Sequence, residues 1–303
     1  MDNLNKIVRA VTKRGISMKT DVTFQKLTTF RTGGSIALTV YPKDIRELVW
    51  LARLLKKNKA PHVFLGNGSN VLCGDGPYDG VVVVTKGVNK IFVDGQYVTA
   101  YCGANTAAVS VKLVENGLTG GEFFGCIPAT VGGAVVCNAG CFKQSVSQVV
   151  TSVEVLYKGR RKTLTNSQCA FTKRTSVFKN NPDYLVLSVN LRFPRAASIQ
   201  VRQTLSDMRK RKAETQPLNA RSAGCVLYDE KVAVSRLIDQ AGLKGFTIGG
   251  AQVSKKHAGF VINLDKATST DIYLLIEFVK DTLREKFGIQ AHTELCFVNM
   301  DTV

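Results

Sequence analysis

Acidic residues are scarce in this chain: 23 Asp and Glu stand against 41 Lys and Arg in 303 residues, a formal net charge of +18. Tryptophan occurs once and histidine three times. No apolar run approaches the roughly 20 residues that a membrane-spanning helix requires. From Met1 to Thr20 the chain interleaves Lys6, Arg9, Lys13, Arg14 and Lys19 with scattered aliphatics, without the unbroken apolar core of a secretory signal. Both absences predict a cytoplasmic protein with no membrane role. Among Cys73, Cys102, Cys126, Cys137, Cys141, Cys169, Cys225 and Cys296 there is no Cys-x-x-Cys pair. The Cys137/Cys141 spacing also lacks the second Cys/His pair of a zinc site, so no metal is expected. Seven of the eight read as small buried hydrophobes in a reducing compartment, and Cys225 is set apart by its neighbours. Neither G-x-x-x-x-G-K-[ST] nor a helix-opening G-x-G-x-x-G is present, which argues against P-loop and Rossmann nucleotide sites.

The excess positive charge favours anionic partners. The basic residues are spread along the chain, and the densest group, Arg209, Lys210, Arg211 and Lys212, ends a helical pattern and reads as a solvated face. A dedicated nucleic-acid surface is therefore not expected, and phosphate-bearing small molecules are. At 45% hydrophobic and 21% charged residues the composition is that of a globular protein.

Leu38–Tyr41 reads as a strand, Asp44–Lys57 as an amphipathic helix, and His62–Leu65 as a second strand that runs into Gly66-Asn67-Gly68-Ser69-Asn70. Further strands are expected at Val81–Thr85 and Tyr97–Cys102, with a helix over Thr106–Glu115 stopped by Asn116-Gly117. A hairpin turning at Lys158-Gly159 and a long alternating strand over Tyr184–Phe193 follow. The helix Ser198–Glu214 leads to Thr215-Gln216-Pro217, a seam between domains. Beyond it lie helices at Val232–Gln240 and about Thr270–Phe287, N-capped by Thr268, Ser269 or Thr270, and strands at Gly259–Leu264 and Glu294–Val298. In the loop Gly66–Asn70, glycines allow positive φ and close approach of a ligand, and consecutive N–H groups can form an anion nest. Ile127-Pro128-Ala129-Thr130-Val131-Gly132-Gly133-Ala134 pairs a hydroxyl with close-approach glycines. Two such loops in one domain point to a long diphosphate ligand.

The ordered series Thr29-Phe30-Arg31-Thr32-Gly33-Gly34, Gly66–Asn70, Gly125–Ala134, Asn138-Ala139-Gly140, Lys173-Arg174-Thr175-Ser176, Ser222-Ala223-Gly224-Cys225, Ala241–Gly245, Ile248–Ser254, Lys256-His257-Ala258 and Glu294 resembles the UDP-N-acetylenolpyruvoylglucosamine reductase family. The likeness covers roughly Leu27 to Phe297. The short path from Ser222 to Gly249 resembles the compact type, which lacks an extra substrate-covering insertion. The resemblance implies an α+β chain. Residues 1–214 would be an FAD-binding region of vanillyl-alcohol-oxidase (PCMH) type, with its core at about 27–195, and residues 215–303 a smaller α/β substrate-binding domain. FAD, non-covalently bound, would be held by Gly66, Asn67, Gly68, Ser69 and Asn70 together with Ile127, Pro128, Thr130, Val131, Gly132, Gly133 and Ala134. NADPH would reduce it, and the enolpyruvyl UDP-sugar would take hydride from flavin N5 at its β-carbon.

Three residues then acquire roles. Arg174 matches the arginine of the family's Tyr-Arg-x-Ser motif, a permanently charged fork suited to a carboxylate that becomes an enolate. Glu294 matches a glutamate that assists the same intermediate. Cys225 stands where the family carries its proton donor, commonly Ser; a thiol is the stronger acid. His257 falls on a position that faces substrate. Two departures stand out: Lys173 replaces the usual tyrosine, and Val226-Leu227-Tyr228-Asp229 replaces a Phe-Lys-Asn-Pro-like segment. Loss of the lysine and gain of Asp229 are expected to weaken diphosphate binding there. Two other readings stay open, a related FAD oxidoreductase acting on a different anion and a degenerate flavin- or nucleic-acid-binding protein without activity.

Overall fold

Asp44 opens the first long helix as its sequence forecasts. Its carboxylate accepts the Glu47 N–H at 2.8 Å, and Ile45–Lys57 follows with Ile45, Leu48, Val49, Leu51, Ala52 and Leu55 buried. Thr106–Glu115 starts from Asn105, whose side chain accepts from the Ala107 N–H at 2.8 Å, and ends before Gly117 at φ +59°. The computed structural model describes residues 2–179 and 181–300.

The chain forms two units, the first made of Met1–Thr20, Leu38–Asn67 and Gly80–Arg211. Its larger sheet is antiparallel, in the order Arg160–Thr165, Val150–Tyr157, Tyr184–Arg192, Tyr97–Tyr101 and Ile91–Asp94. Lys158 and Gly159, at φ +49° and +83°, make the expected two-residue hairpin turn. Tyr184–Arg192 alternates in sequence, yet Leu185 to Val189 are all buried, because it is the middle strand of the sheet. In a second sheet His62–Leu65 runs parallel to Val81–Val84. The helix Asp2–Lys13 was not foreseen in the basic N-terminal stretch. Ile7 and Val11 are fully buried there while Lys6, Arg9 and Lys13 stay exposed, which is the 3.6-residue periodicity of an amphipathic helix.

The second unit comprises Asp21–Ala37, Gly68–Asp79 and Lys212–Val303. Its antiparallel sheet runs Arg221–Cys225, Phe260–Asn263, Ala251–Val253 and Thr247–Ile248. The helix Ser269–Phe287 buries Ile272, Leu275, Ile276, Val279 and Leu283 in the same core as Val253 and Val261. Of the three candidate caps, Thr268 serves: its Oγ1 accepts from Asp271 N–H, and Asp271 accepts from Thr268 N–H, each at 3.0 Å. Asp271 also accepts the Gly250 N–H at 3.1 Å, and these bonds hold its carboxyl below the ordinary value of 3.8. The stability they confer is present above pH 3.8 and is lost as pH falls through the lower folded value. Asp271→Ala is expected to cost about 1–2 kcal/mol at neutral pH, read as a shift of the denaturant midpoint, with the difference vanishing in acid.

The sequence set the seam at Thr215–Pro217 and all of the second domain after it. The structural division passes between Arg211 and Lys212, and two earlier segments join the second unit. Val71–Cys73 pairs in parallel with Cys296–Val298, Asn263 Nδ2 donates to the Phe30 carbonyl at 2.8 Å, and Phe30 and Leu72 are fully buried in this core. Pairings so distant in sequence leave no local pattern.

None of the eight cysteines is joined in a disulfide. Burial pushes Cys73 and Cys102 up to about 12 and Cys169 up to about 11, as expected of packing cysteines. Cys126 is buried too, but Cys137, Cys141 and Cys296 are only half-buried, short of the burial expected for seven of the eight. Among the described residues no helix is long and apolar enough to cross a membrane.

Candidate active site

The two Gly-rich segments, 61 residues apart at their junction, meet in the first unit: Asn67 Nδ2 donates to the Pro128 carbonyl at 2.7 Å. A Cβ on Gly66 would strike the Thr130 hydroxyl, so only glycine lets the two loops close on each other. Thr130 caps the short helix Val131–Val136, with Oγ1 accepting from Gly133 N–H at 3.4 Å. The N–H groups of Val131, Gly132 and Ala134 donate, each at 2.8 Å, to the carbonyls of Ala104, Cys102 and Thr130. Their donors are thus engaged within the protein. Gly132 is fixed as glycine by Cys102, whose Cβ would lie 2.9 Å from an added methyl. The first loop continues into the second unit, where Gly68 adopts φ +64° and a Cβ would lie 2.9 Å from Thr28 Cα. At Gly66, Gly68 and Gly132 alike, the room a side chain would need is taken by the protein's own neighbouring segments.

Arg174 sits in a tight turn of the first unit. Thr172 and Thr175 exchange backbone hydrogen bonds at 3.1 and 3.3 Å, leaving Lys173 and Arg174 as the two turn residues. Arg174 takes φ +60°, the third position of a type II turn, where glycine or asparagine is usual. An arginine there costs about 1–2 kcal/mol, the kind of local strain that collects at functional sites. Asn138 Nδ2 donates to the Thr172 carbonyl at 2.8 Å, and Ser176 Oγ donates to the Val136 carbonyl at 2.7 Å. The sequence reading quoted Asn138 and Ser176 within motifs and gave neither a role.

Cys225, His257 and Glu294 lie in the second unit, where Cys225 and His257 flank Gly259. Cys225 ends the strand Arg221–Cys225 opposite Phe260, preceded by Gly224 at φ +81°. A Cβ placed on Gly259 would lie 3.1 Å from Cys225 Sγ, 3.1 Å from Ser235 Cβ and 3.2 Å from His257 Cε1. Thiol and imidazole therefore border one small space that only glycine keeps open, and no sequence signal marks Gly259 or Ser235. Gly259 N–H donates to His257 Nδ1 at 3.2 Å, which places the hydrogen of the neutral ring on Nε2. Burial pushes His257 below its ordinary value and Lys244 adds to this, while its own carbonyl and Asp239 pull the other way. Val226 ties Cys225 to Glu294: its N–H donates to the Gly259 carbonyl at 3.0 Å and its carbonyl accepts from Glu294 N–H at 2.9 Å. Asn70 Nδ2 donates to the Glu294 carbonyl at 2.9 Å. One more of the expected flavin-loop side chains thus braces Glu294, which lies ahead of the strand Cys296–Val298 and not, as expected from sequence, at its start.

The departures at 228 and 229 have local explanations. Tyr228 pairs across the ladder with His292, ring centroids 5.7 Å apart. Asp229 Oδ1 accepts from the N–H groups of Lys231 and Val232 at 2.8 and 3.0 Å, so the carboxylate shapes its own loop ahead of the helix Val234–Gln240. Among the described residues no group of three or more His, Cys, Asp or Glu side chains could hold a metal.

Comparison with known proteins defines the class first: residues 36–163 match the FAD binding domain family. Residues 216–298 match the family described as UDP-N-acetylenolpyruvoylglucosamine reductase, C-terminal domain. The chain is 35% identical over 287 residues to the UDP-N-acetylenolpyruvoylglucosamine reductase of Clostridium novyi, covering 94% of this chain and 93% of the relative. It is 37% identical over 287 residues to that of Caldicellulosiruptor bescii, covering 94% and 91%. A solved UDP-N-acetylenolpyruvylglucosamine reductase from Thermus caldophilus superposes with a TM-score of 0.77 at 25% identity, covering 93% of this chain and 98% of that one. The chain belongs to the UDP-N-acetylenolpyruvoylglucosamine reductase family.

Proposed function

We propose that this chain reduces UDP-N-acetylglucosamine enolpyruvate to UDP-N-acetylmuramate with NADPH, as a cytoplasmic enzyme of peptidoglycan precursor synthesis. The observation that carries the reading is the half-buried thiol and the imidazole bordering Gly259, with the Glu294 backbone tied to Val226 beside them, in a chain matched to the reductases along nearly its whole length. The flavin would sit in residues 1–214 and substrate would engage residues 215–303, a division supported by the two family matches.

Gly66–Asn70 and Ile127–Ala134 would hold FAD non-covalently, and the bound flavin would supply the two-electron chemistry between NADPH and the substrate β-carbon. The residues of the chain handle charge and proton. Arg174 presents a fork to the substrate carboxylate, where negative charge grows as the α-carbon becomes enolate-like. Glu294 orders the same region, and Cys225 delivers its thiol proton to the α-carbon. His257, neutral and carrying hydrogen on Nε2, donates to the sugar nucleotide. Net consumption is one NADPH and one proton per substrate. The Asp229 carboxylate, the feature that favoured a different anionic substrate, also accepts two N–H groups of its own loop.

The test is anaerobic reduction of the purified yellow protein by NADPH, followed by mixing with UDP-N-acetylglucosamine enolpyruvate. Bleaching at the first step and restored colour at the second are expected. A reduced flavin that this substrate leaves bleached would defeat the proposal.

A further inference from the structure

We propose that Asn138 is the positioning residue for Arg174, and that it links the flavin-binding helix to the turn carrying the guanidinium. The inference builds on the role given to Arg174 above.

The geometry lies wholly within the first unit. Asn138 follows the helix Val131–Val136, which begins at Thr130 of the second Gly-rich segment. It is 6% exposed and adopts φ +40°, a region open to asparagine more readily than to most residues. The backbone conformation turns its amide toward two neighbours at once: Oδ1 accepts from Ser147 N–H at 3.1 Å, and Nδ2 donates to the Thr172 carbonyl at 2.8 Å. Thr172 is the residue whose backbone closes the Lys173-Arg174 turn on Thr175. On the far side of the turn, Ser176 Oγ donates to the carbonyl of Val136, the last residue of the same helix. Lys179 Nζ donates to the Arg174 carbonyl at 3.2 Å. The turn is thus fastened before and after Arg174 to one short helix.

A residue in the left-handed region relaxes unless its surroundings over-determine it. With the Thr172 carbonyl released, the turn can flip its central peptide to a geometry that suits arginine better, and the guanidinium then leaves its place. Whatever presses the helix Val131–Val136 into position, including a ligand on its Gly-rich start, bears on the turn through the same two hydrogen bonds.

Two variants separate the two bonds of Asn138. Asn138→Asp keeps the acceptor for Ser147 and sets a carboxylate oxygen against the Thr172 carbonyl. Asn138→Gly keeps the positive φ and removes both bonds. In each, FAD content and flavin reduction by NADPH are expected to stay within about twofold of the parent, while reoxidation by the enolpyruvyl substrate slows at least about tenfold, the scale of a displaced reacting group. The decisive readout is a double-mutant cycle with Arg174→Ala, because residues acting through one another are not additive. In the Arg174→Ala background Asn138→Gly is expected to slow reoxidation no further. If the two changes multiply, or if reoxidation is untouched by both Asn138 variants, Asn138 does not position Arg174. If Arg174→Ala alone leaves reoxidation intact, the role of Arg174 itself fails, and that result is read independently of Asn138.

Discussion

Replacing Cys225 by alanine is expected to slow reoxidation of the reduced flavin by substrate about a hundredfold or more, the usual scale for removal of a positioned general acid. Reduction by NADPH should stay near its normal rate, because no proton from Cys225 is needed before substrate arrives. Cys225→Ser should keep much of the activity, since it restores a hydroxyl donor of similar size to a strand end whose geometry is set by Gly224 and the Phe260 pairing. Alkylation of the thiol should reproduce the alanine variant, and bound substrate should protect against it. A cysteine that merely packs makes the opposite forecast: both substitutions would lower stability and leave the two half-reactions alike. Rapid-mixing measurement of each half-reaction decides, and small, equal effects on both would return Cys225 to the core.

Arg174→Lys is expected to retain FAD and its reduction by NADPH and to lose about 10²–10³-fold in the reoxidation step, as when a preorganised donor to a developing oxyanion is removed. Lysine keeps the charge but not the bidentate fork. The backbone adds a sharper test. At φ +60°, Arg174→Gly relieves strain and should stabilise the protein by up to about 1 kcal/mol while abolishing reoxidation by substrate. A gain in melting temperature together with a loss of turnover marks a residue kept for function against the preference of its turn. Unchanged reoxidation in the lysine variant would remove Arg174 from the mechanism.

Much of this arrangement was legible in the sequence, for physical reasons. Caps and stops are local signals, so Gly117 marks a helix end correctly and Thr268, one of three offered caps, marks a start. Gly66 and Gly132 were singled out for close approach of a ligand, and what each approaches in the fold is a protein neighbour a Cβ would strike. What stayed hidden depends on partners far along the chain. Neither the membership of Phe30 and Leu72 in the second core nor the opening kept by Gly259 beside Cys225 has a nearby pattern to announce it. The loop role of Asp229 stayed hidden for a related reason. A charge is visible in sequence, but its engagement by two N–H groups two and three residues on is a property of the folded loop.

The parallel pairing of Val71–Cys73 with Cys296–Val298, braced by an Asn70–Glu294 hydrogen bond spanning 224 positions, also dictates when this protein can be finished. During synthesis the first of these strands leaves the ribosome long before its partner exists, and its edge stays unpaired until Cys296–Val298 has been made. A chain that stops before Cys296 therefore loses the partner of a buried strand and leaves that edge open to other chains. Such a stop bears directly on the unit that holds Cys225 and acts as a folding lesion.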